Sequence, residues 1–144
     1  MNQMTMTQAT EADETWLFDL YQRCLKSYIE STWGWDEVVQ KQYFLGPLHP
    51  SLFKIISVQQ QNVAVYLVKQ KNDHIWLEML LVEPAWQRKG IGSFVMEELK
   101  QQAKQQQQSI KLSVIKVNPV IGFYKKHGFT IIARDDATFQ LCWP

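Results

Sequence analysis

Residues 87–93 carry the clearest chemical signal in this sequence. They read Gln-Arg-Lys-Gly-Ile-Gly-Ser, after an apolar run that ends at Val82 and before an amphipathic stretch. The first N–H groups of a helix are unpaired and partly positive, and glycines let an anion approach them closely. Arg88 and Lys89 add full positive charges. The segment predicts an anion site between a strand and a helix, although Gly90 and Gly92 alone are equally typical of a plain tight turn.

Two common nucleotide-binding patterns do not fit this segment. A G-x-G-x-x-G fingerprint would need a small residue in place of Val95, and a P-loop would need Gly-Lys-Ser/Thr where Ser93 and Phe94 follow the last glycine. A nucleotide-phosphate binder that uses the same helix start is therefore the weakest of the functions we consider.

A second segment, residues 118–129, reads Asn-Pro-Val-Ile-Gly-Phe-Tyr-Lys-Lys-His-Gly-Phe. Asn118 and Pro119 predict the N-cap and first residue of a short helix, and Gly128 its end. The two segments together resemble the GNAT superfamily of acyl-CoA-dependent N-acyltransferases. Residues 87–92 match its Gln/Arg-x-x-Gly-x-Gly/Ala loop, and residues 118–129 match its Asn-x-x-Ala-x-x-Phe-Tyr-x-x-x-Gly-Phe motif, with Gly122 in place of the commoner alanine.

The resemblance implies acetyl-CoA as cosubstrate and no metal. In the family, two strands splay apart, the pantetheine arm pairs with the exposed backbone, and the diphosphate lies on the amides of the loop. Asn118 is expected near the pantetheine or diphosphate, and is equally well explained as an N-cap. The expected cofactor-binding residues are Leu81, Val82, Gln87, Arg88, Lys89, Gly90, Ile91, Gly92, Ser93, Asn118 and Phe123.

Catalysis by this family is direct transfer of an acetyl group to a primary amine. The resemblance places Tyr124 as the general acid beside the CoA sulfur, its alternative being a tyrosine in a helix core stripe. Backbone N–H groups near Leu81 or Val82 would stabilise the oxyanion. Glu78 alternates with apolar residues along a predicted strand and is the candidate base. A surface Glu78 paired with Lys or Arg is an equal alternative.

The acceptor site is expected between the first two helices, as in the family. The candidate substrate-binding residues are Glu30, Trp33, Trp35 and Glu37. Rings with carboxylates suit a cationic amine, and Glu30, Asp36 and Glu37 are rival candidates for the base. Trp33 and Trp35 serve equally as core anchors for the helix corner.

The remaining reactive residues have no predicted chemical role. His49, His74 and His127 pair with no nucleophile in sequence and are interpreted as surface or structural residues. Cys24 lies on the apolar stripe of the first helix and is interpreted as a core residue. With only one other cysteine, Cys142, and no C-x-x-C, neither a disulfide framework nor a zinc site is predicted, which fits a cytoplasmic location.

Hydrophobic periodicity predicts the elements that must position these residues. A four-residue apolar period beginning at Trp16 indicates a long helix, and β-branched runs that follow indicate three antiparallel strands. The prediction is an α+β fold in three layers. It has a GNAT-like mixed, mostly antiparallel twisted sheet of about seven strands, about four helices, and one parallel strand–helix–strand crossover from 75–82 to 110–117. The expected strands are 4–8, 52–58, 63–69, 75–82, 110–117, 129–133 and 138–143.

Length and composition limit the remaining possibilities. The 144 residues suit a single domain, 1–144, and a formal net charge of +1 with 46% hydrophobic residues argues against disorder and a broad nucleic-acid face. No secretory or membrane-spanning segment is predicted. The leading function is an N-acetyltransferase acting on a small-molecule or peptide amine, and the alternative is a non-catalytic CoA-binding module. The apolar last strand leaves a homodimer open.

Overall fold

The computed structural model describes residues 3–144 as two compact units. The first is the chain up to Leu67 together with Met79–Lys89, and the second is Val68–Glu78 together with Gly90–Pro144. The strands are β1 (Met4–Gln8), β2 (Lys54–Val58), β3 (Gln61–Gln70), β4 (His74–Val82), β5 (Ser109–Ile115), β6 (Thr130–Arg134) and β7 (Thr138–Trp143). The α-helices are α1 (Glu14–Trp33), α2 (Glu37–Leu45), α3 (Ile91–Gln106) and α4 (Ile121–Lys126).

The strands form one mixed sheet in the order β1-β2-β3-β4-β5-β7-β6. β4 and β5 pair in parallel from His74↔Ser109 to Trp76↔Lys111, with α3 as the crossover between them. The pairs β1–β2, β2–β3, β5–β7 and β6–β7 are antiparallel. The predicted α+β fold, with its mixed seven-stranded sheet, four helices and parallel crossover, is confirmed.

In the first unit, the start and end of α1 follow from local chemistry. Thr10 and Asp13 form a capping box just before the helix, and Gly34 ends it with a φ of 83°. The buried face of α1 includes Leu17 and Leu20, both fully buried. Asp36 caps α2, because its carboxylate accepts a hydrogen bond from the Val39 N–H at 3.2 Å.

In the second unit, α3 lies against β5. Its apolar stripe of Val95, Met96, Leu99 and Ala103 is buried, as the sequence period requires. The glutamine-rich stretch, residues 101–108, supplies the mostly exposed last turns of this helix up to Gln106 and does not form a disordered tract, as the helix propensity of glutamine indicates.

Short turns move the starts of two elements, and β3, β4, β5 and β6 begin one or two residues from their predicted starts. β2 begins at Lys54 and not at residue 52, since Pro50–Leu52 forms a single 3-10 turn capped by His49. α4 begins at Ile121, later than Pro119, because the Asn118 side chain accepts from the Val120 N–H at 3.0 Å and holds residues 118–120 in a turn.

Candidate cofactor and active site

The loop between β4 and α3 has the backbone shape of an anion site. Arg88 and Gly90 both adopt positive φ angles, 62° and 89°, on either side of Lys89. Residues in the left-handed region alternating with ordinary ones turn successive N–H groups to the same side, which makes an anion-binding concavity. A positive φ at Arg88 costs free energy for a residue with a side chain, so the loop shape is imposed by its surroundings.

The amides of this loop are unpaired. No hydrogen-bond acceptor for the N–H groups of residues 88–93 is found in the described part of the chain, and no side chain caps α3. Arg88 and Lys89 are exposed, and neither forms an ion pair with any of residues 3–144. Free donors, the helix dipole and two unpaired cations therefore coincide in one segment, as a bound diphosphate requires.

Gly92 links the loop to the second motif. A Cβ atom placed on Gly92 would lie 3.0 Å from Cζ of Phe123, so a larger residue there would require that ring to shift by a few tenths of an ångström. Ile91 is buried, so its contribution to the loop is its backbone N–H. The two sequence motifs thus meet at Gly92 and Phe123 within the second unit.

Gln87 and Val82 have roles that the sequence did not predict. The Gln87 side chain donates to the Val82 carbonyl at 3.0 Å, and the Cys24 thiol lies 3.3 Å from the same oxygen. The Val82 carbonyl thus already has two partners within the chain, and the expected contact of Leu81 and Val82 with pantetheine stays a prediction. Burial raises the pKa of the Cys24 thiol to about 11, so this group is a neutral donor, consistent with its structural assignment.

Tyr124 is buried with an unused hydroxyl. Its ring packs against Phe123 and Phe129, with centroids 5.2 Å and 5.6 Å away. The side chain is 5% exposed, yet its hydroxyl makes no hydrogen bond to any residue that the structure describes. Burial raises the pKa of this phenol well above its ordinary value. Tyr124 is thus a protonated phenol whose hydroxyl is free to donate to a ligand.

Glu78 is ion-paired. Its Oε1 lies 3.1 Å from Nζ of Lys69, on the neighbouring strand β3. This is the surface pair that the sequence left as an equal alternative. No hydrogen bond or ion pair among residues 3–144 joins Glu78 to Tyr124. Its assignment as a base rests on strand position and family resemblance, and stays a prediction.

The candidate acceptor residues lie at the α1–α2 corner of the first unit. Trp33 is 60% exposed, so it is not a core anchor. Trp35 is half-buried, 6.1 Å from the ring of Tyr21 and under the Lys26 ammonium. Glu30 and Glu37 are exposed. Asp36 is committed to capping α2, which leaves Glu30 and Glu37 as the freer carboxylates.

His127 is a neighbour of the loop that sequence reasoning missed. Its Nε2 atom lies 3.1 Å from Oγ of Ser93, and its ring lies 4.7 Å from that of Phe123. The available signal was its spacing: His127 follows Phe123 by four residues, one helical turn.

The fold and the site together define the class of this protein. Its mixed seven-stranded sheet has one parallel crossover, from β4 through α3 to β5. The family model described as acetyltransferase (GNAT) domain matches residues 51–131, more than half of the chain. The chain belongs to this family. No curated protein sequence matches it significantly.

Solved structures share the fold at low sequence identity. The PaiA N-acetyltransferase from Thermoplasma acidophilum, in complex with coenzyme A, has a TM-score of 0.80 at 16% identity, over 98% of each chain. The ribosomal-protein-S18-alanine N-acetyltransferase from Escherichia coli has a TM-score of 0.70 at 17% identity, over 99% of this chain and 94% of that one. Arabidopsis thaliana Naa50, in complex with the bisubstrate analogue CoA-Ac-MVNAL, has a TM-score of 0.67 at 16% identity, over 98% of each chain. At these identities the likeness shows the fold.

The described residues contain neither a metal-binding cluster nor a membrane-spanning helix. Among residues 3–144, no cluster of His, Cys, Asp and Glu side chains has the grouping needed to hold a metal ion. Across the same residues, no helix has the length and apolar character needed to cross a membrane.

Proposed function

We propose that this protein is an acetyl-CoA-dependent N-acetyltransferase that acts on a primary amine. The observation that carries the proposal is the run of unpaired amides at residues 88–93, flanked by the unpaired cations Arg88 and Lys89. A chain with this loop, in a family of acetyltransferases, has the donors that a CoA diphosphate needs. The amides of Gly92 and Ser93 lie in the first turn of α3, where the helix dipole adds to their attraction.

The residues of the chain supply the proton transfers. Bound acetyl-CoA supplies an activated acetyl group as a thioester. The amine nitrogen forms a bond to the acetyl carbon, the carbon–sulfur bond breaks, and the Tyr124 hydroxyl gives its proton to the departing sulfur. One proton would leave the attacking amine for a carboxylate, with Glu78, Glu30 and Glu37 as candidates, or for water, and a proton from solvent would restore the Tyr124 hydroxyl after the CoA thiol departs. Backbone N–H groups near Leu81 or Val82 would stabilise the oxyanion.

Tyr124 favours catalysis over binding alone. It stands at the general-acid position that the family motif gives it, and its hydroxyl makes no hydrogen bond within the described residues, so it is available to a bound thioester. The non-catalytic alternative therefore has less support than the enzyme.

The acceptor is proposed to be an amine borne by a peptide, a protein or a small molecule. The E. coli and A. thaliana structures are named for a protein alanine acceptor and a peptide analogue, respectively. The exposed Trp33 with the exposed Glu30 and Glu37 gives an apolar surface and negative charge that suit an alkyl-ammonium group.

Thermal unfolding and a thiol-release assay test the proposal together. Acetyl-CoA at about 100 times its Kd should raise the free energy of unfolding by about 2.7 kcal/mol, and ATP at the same concentration should not. Release of CoA thiol should then depend on an amine, screened among polyamines and peptides with free N-termini. Stabilisation by acetyl-CoA without turnover on any amine would favour the non-catalytic module. No stabilisation by any acyl-CoA would refute both.

A further inference from the structure

His127 lies against the first turn of α3, where the diphosphate is proposed to bind. Its Nε2 lies 3.1 Å from Oγ of Ser93, and the bond is part-buried. Its Nδ1, on the other side of the ring, lies 3.9 Å from Oε1 of Glu97. Phe123 covers Gly92 and packs on the same imidazole, with centroids 4.7 Å apart. The imidazole therefore bridges Ser93 and Glu97 along α3.

The protonation state of this ring decides what the Ser93 hydroxyl can do. Because Nδ1 faces a carboxylate, the neutral ring is expected to carry its proton on Nδ1, so that Nε2 accepts the Ser93 proton. The hydroxyl then has no proton left for an anion. In the protonated ring, Nε2–H donates to Ser93 Oγ, and the hydroxyl proton is free to point at a phosphate oxygen.

The charged groups around His127 shift its pKa in both directions. Burial lowers its pKa below the ordinary value most strongly, Lys100 of α3 and Lys126 of α4 lower it further, and Glu97 of α3 raises it. The lowered pKa favours the neutral ring at pH 7 without a ligand. An anion bound at the start of α3 would oppose the two lysines and favour the protonated form.

We propose that His127 is a positioning residue of the cofactor site, which sets the direction of the Ser93 hydroxyl and so makes CoA affinity depend on its protonation. The proposal rests on the proposed function, because it needs a diphosphate on the loop that contains Ser93. It assigns a role to a histidine that lies outside the catalytic group Tyr124 and its candidate bases.

Calorimetric titration with dephospho-CoA tests the proposal. This probe keeps the diphosphate but lacks the 3′-phosphate, a phosphomonoester of the kind that titrates near pH 6 and would obscure the result. For the wild type, Kd should be about fivefold lower at pH 5.5 than at pH 7.5. In His127→Gln, whose amide can donate but does not titrate, the Kd should change less than twofold over this range. Unfolding without ligand shows that the variant is folded.

The Ser93→Ala variant separates the hydroxyl from the charge of the ring. The proposal expects it to lose most of the pH dependence and His127→Gln to add little in its background. NMR titration should show that dephospho-CoA raises the His127 pKa in the wild type, because a ligand that prefers the protonated form must do so. Undiminished pH dependence in Ser93→Ala would overturn the positioning role, as would equal pH profiles in wild type and His127→Gln. If the wild type binds neither CoA nor dephospho-CoA, the proposed function itself fails, and this role with it.

Discussion

At the scale of single residues, Tyr124 and Glu78 show how far sequence could assign roles. The motif placed Tyr124 as a proton donor, and a hydroxyl without a hydrogen bond on a buried ring agrees with that chemistry. For Glu78, the alternation along the strand predicted which face of the sheet the side chain occupies but not its partner. In the structure that partner is Lys69, with Nζ 3.1 Å from Oε1. Side-chain partners on adjacent strands depend on register, which one sequence does not reveal. The contact between Ser93 and His127 was not predicted either, because it joins two helical segments that are 34 residues apart in the sequence.

Replacement of Tyr124 by Phe removes only the hydroxyl. The ring keeps its contacts with Phe123 and Phe129, and the hydroxyl makes no hydrogen bond that would be lost, so the melting temperature should change little. Turnover should fall by about 10²–10⁴, as for loss of a general acid. Since burial raises the pKa of Tyr124, the wild-type acid form should persist and kcat should not decline on the alkaline side up to about pH 9. Equal loss of CoA affinity and turnover would remove Tyr124 from this role.

Glu78 and its partner can be separated by a matched pair of variants. If the carboxylate is only an ion-pair partner, Glu78→Gln and Lys69→Met should lower stability by similar small amounts, about 0.5 kcal/mol or less for a partly exposed pair, without changing kcat. If it is the base, Glu78→Gln should lower kcat about 10²-fold or more, and Lys69→Met should not. Steady-state kinetics with one good amine decide between the two.

At the scale of elements, the order of strands and helices could be read from the sequence, but their exact starts could not. Apolar periods of two and about four residues mark strands and helices regardless of their neighbours. The start of α4 depends instead on the Asn118 side chain, whose bond to the Val120 N–H delays the helix. Likewise, the bond from Gln87 to the Val82 carbonyl closes the turn after β4 and was not foreseen. Such local bonds compete with regular structure and leave little trace in composition.

Replacing Gly90, just before α3, and Gly122, in α4, should have opposite effects on stability. Gly90 has a φ of 89° with open space around it, so Gly90→Ala should cost about 1 kcal/mol from backbone strain alone, or about 3 °C in Tm. It should also weaken CoA binding, since the strain disturbs the loop amides.

Gly122 lies inside α4, and a Cβ there meets nothing within 4 Å. Gly122→Ala should therefore stabilise the protein by about 0.5–1 kcal/mol. Chemical denaturation measures the free energy of unfolding of both variants. Destabilisation by Gly122→Ala would contradict the placement of Gly122 in a helix with open space around it.

At the scale of the whole molecule, a formal net charge of +1 conceals local fields. Arg88 and Lys89 are exposed and unpaired at the proposed diphosphate loop, while Glu30 and Glu37 are exposed at the proposed acceptor corner. A nearly neutral chain attracts neither substrate by its net charge. Any electrostatic contribution to CoA binding must therefore come from charges close to the phosphates.

Two variants that each remove one positive charge, at different places, test whether the electrostatic contribution to CoA binding is local. Lys89→Gln and Lys71→Gln both lower the formal net charge from +1 to 0, but Lys71 lies in the turn between β3 and β4. Because exposed charges act over about 10 Å at 0.1 M salt, Lys89→Gln should raise the Kd for CoA about fivefold at low salt, and Lys71→Gln less than twofold. The difference should shrink at about 1 M salt, where screening reaches about 3 Å. Equal effects of the two variants, measured by titration at both ionic strengths, would show that CoA responds to the net charge and not to the loop.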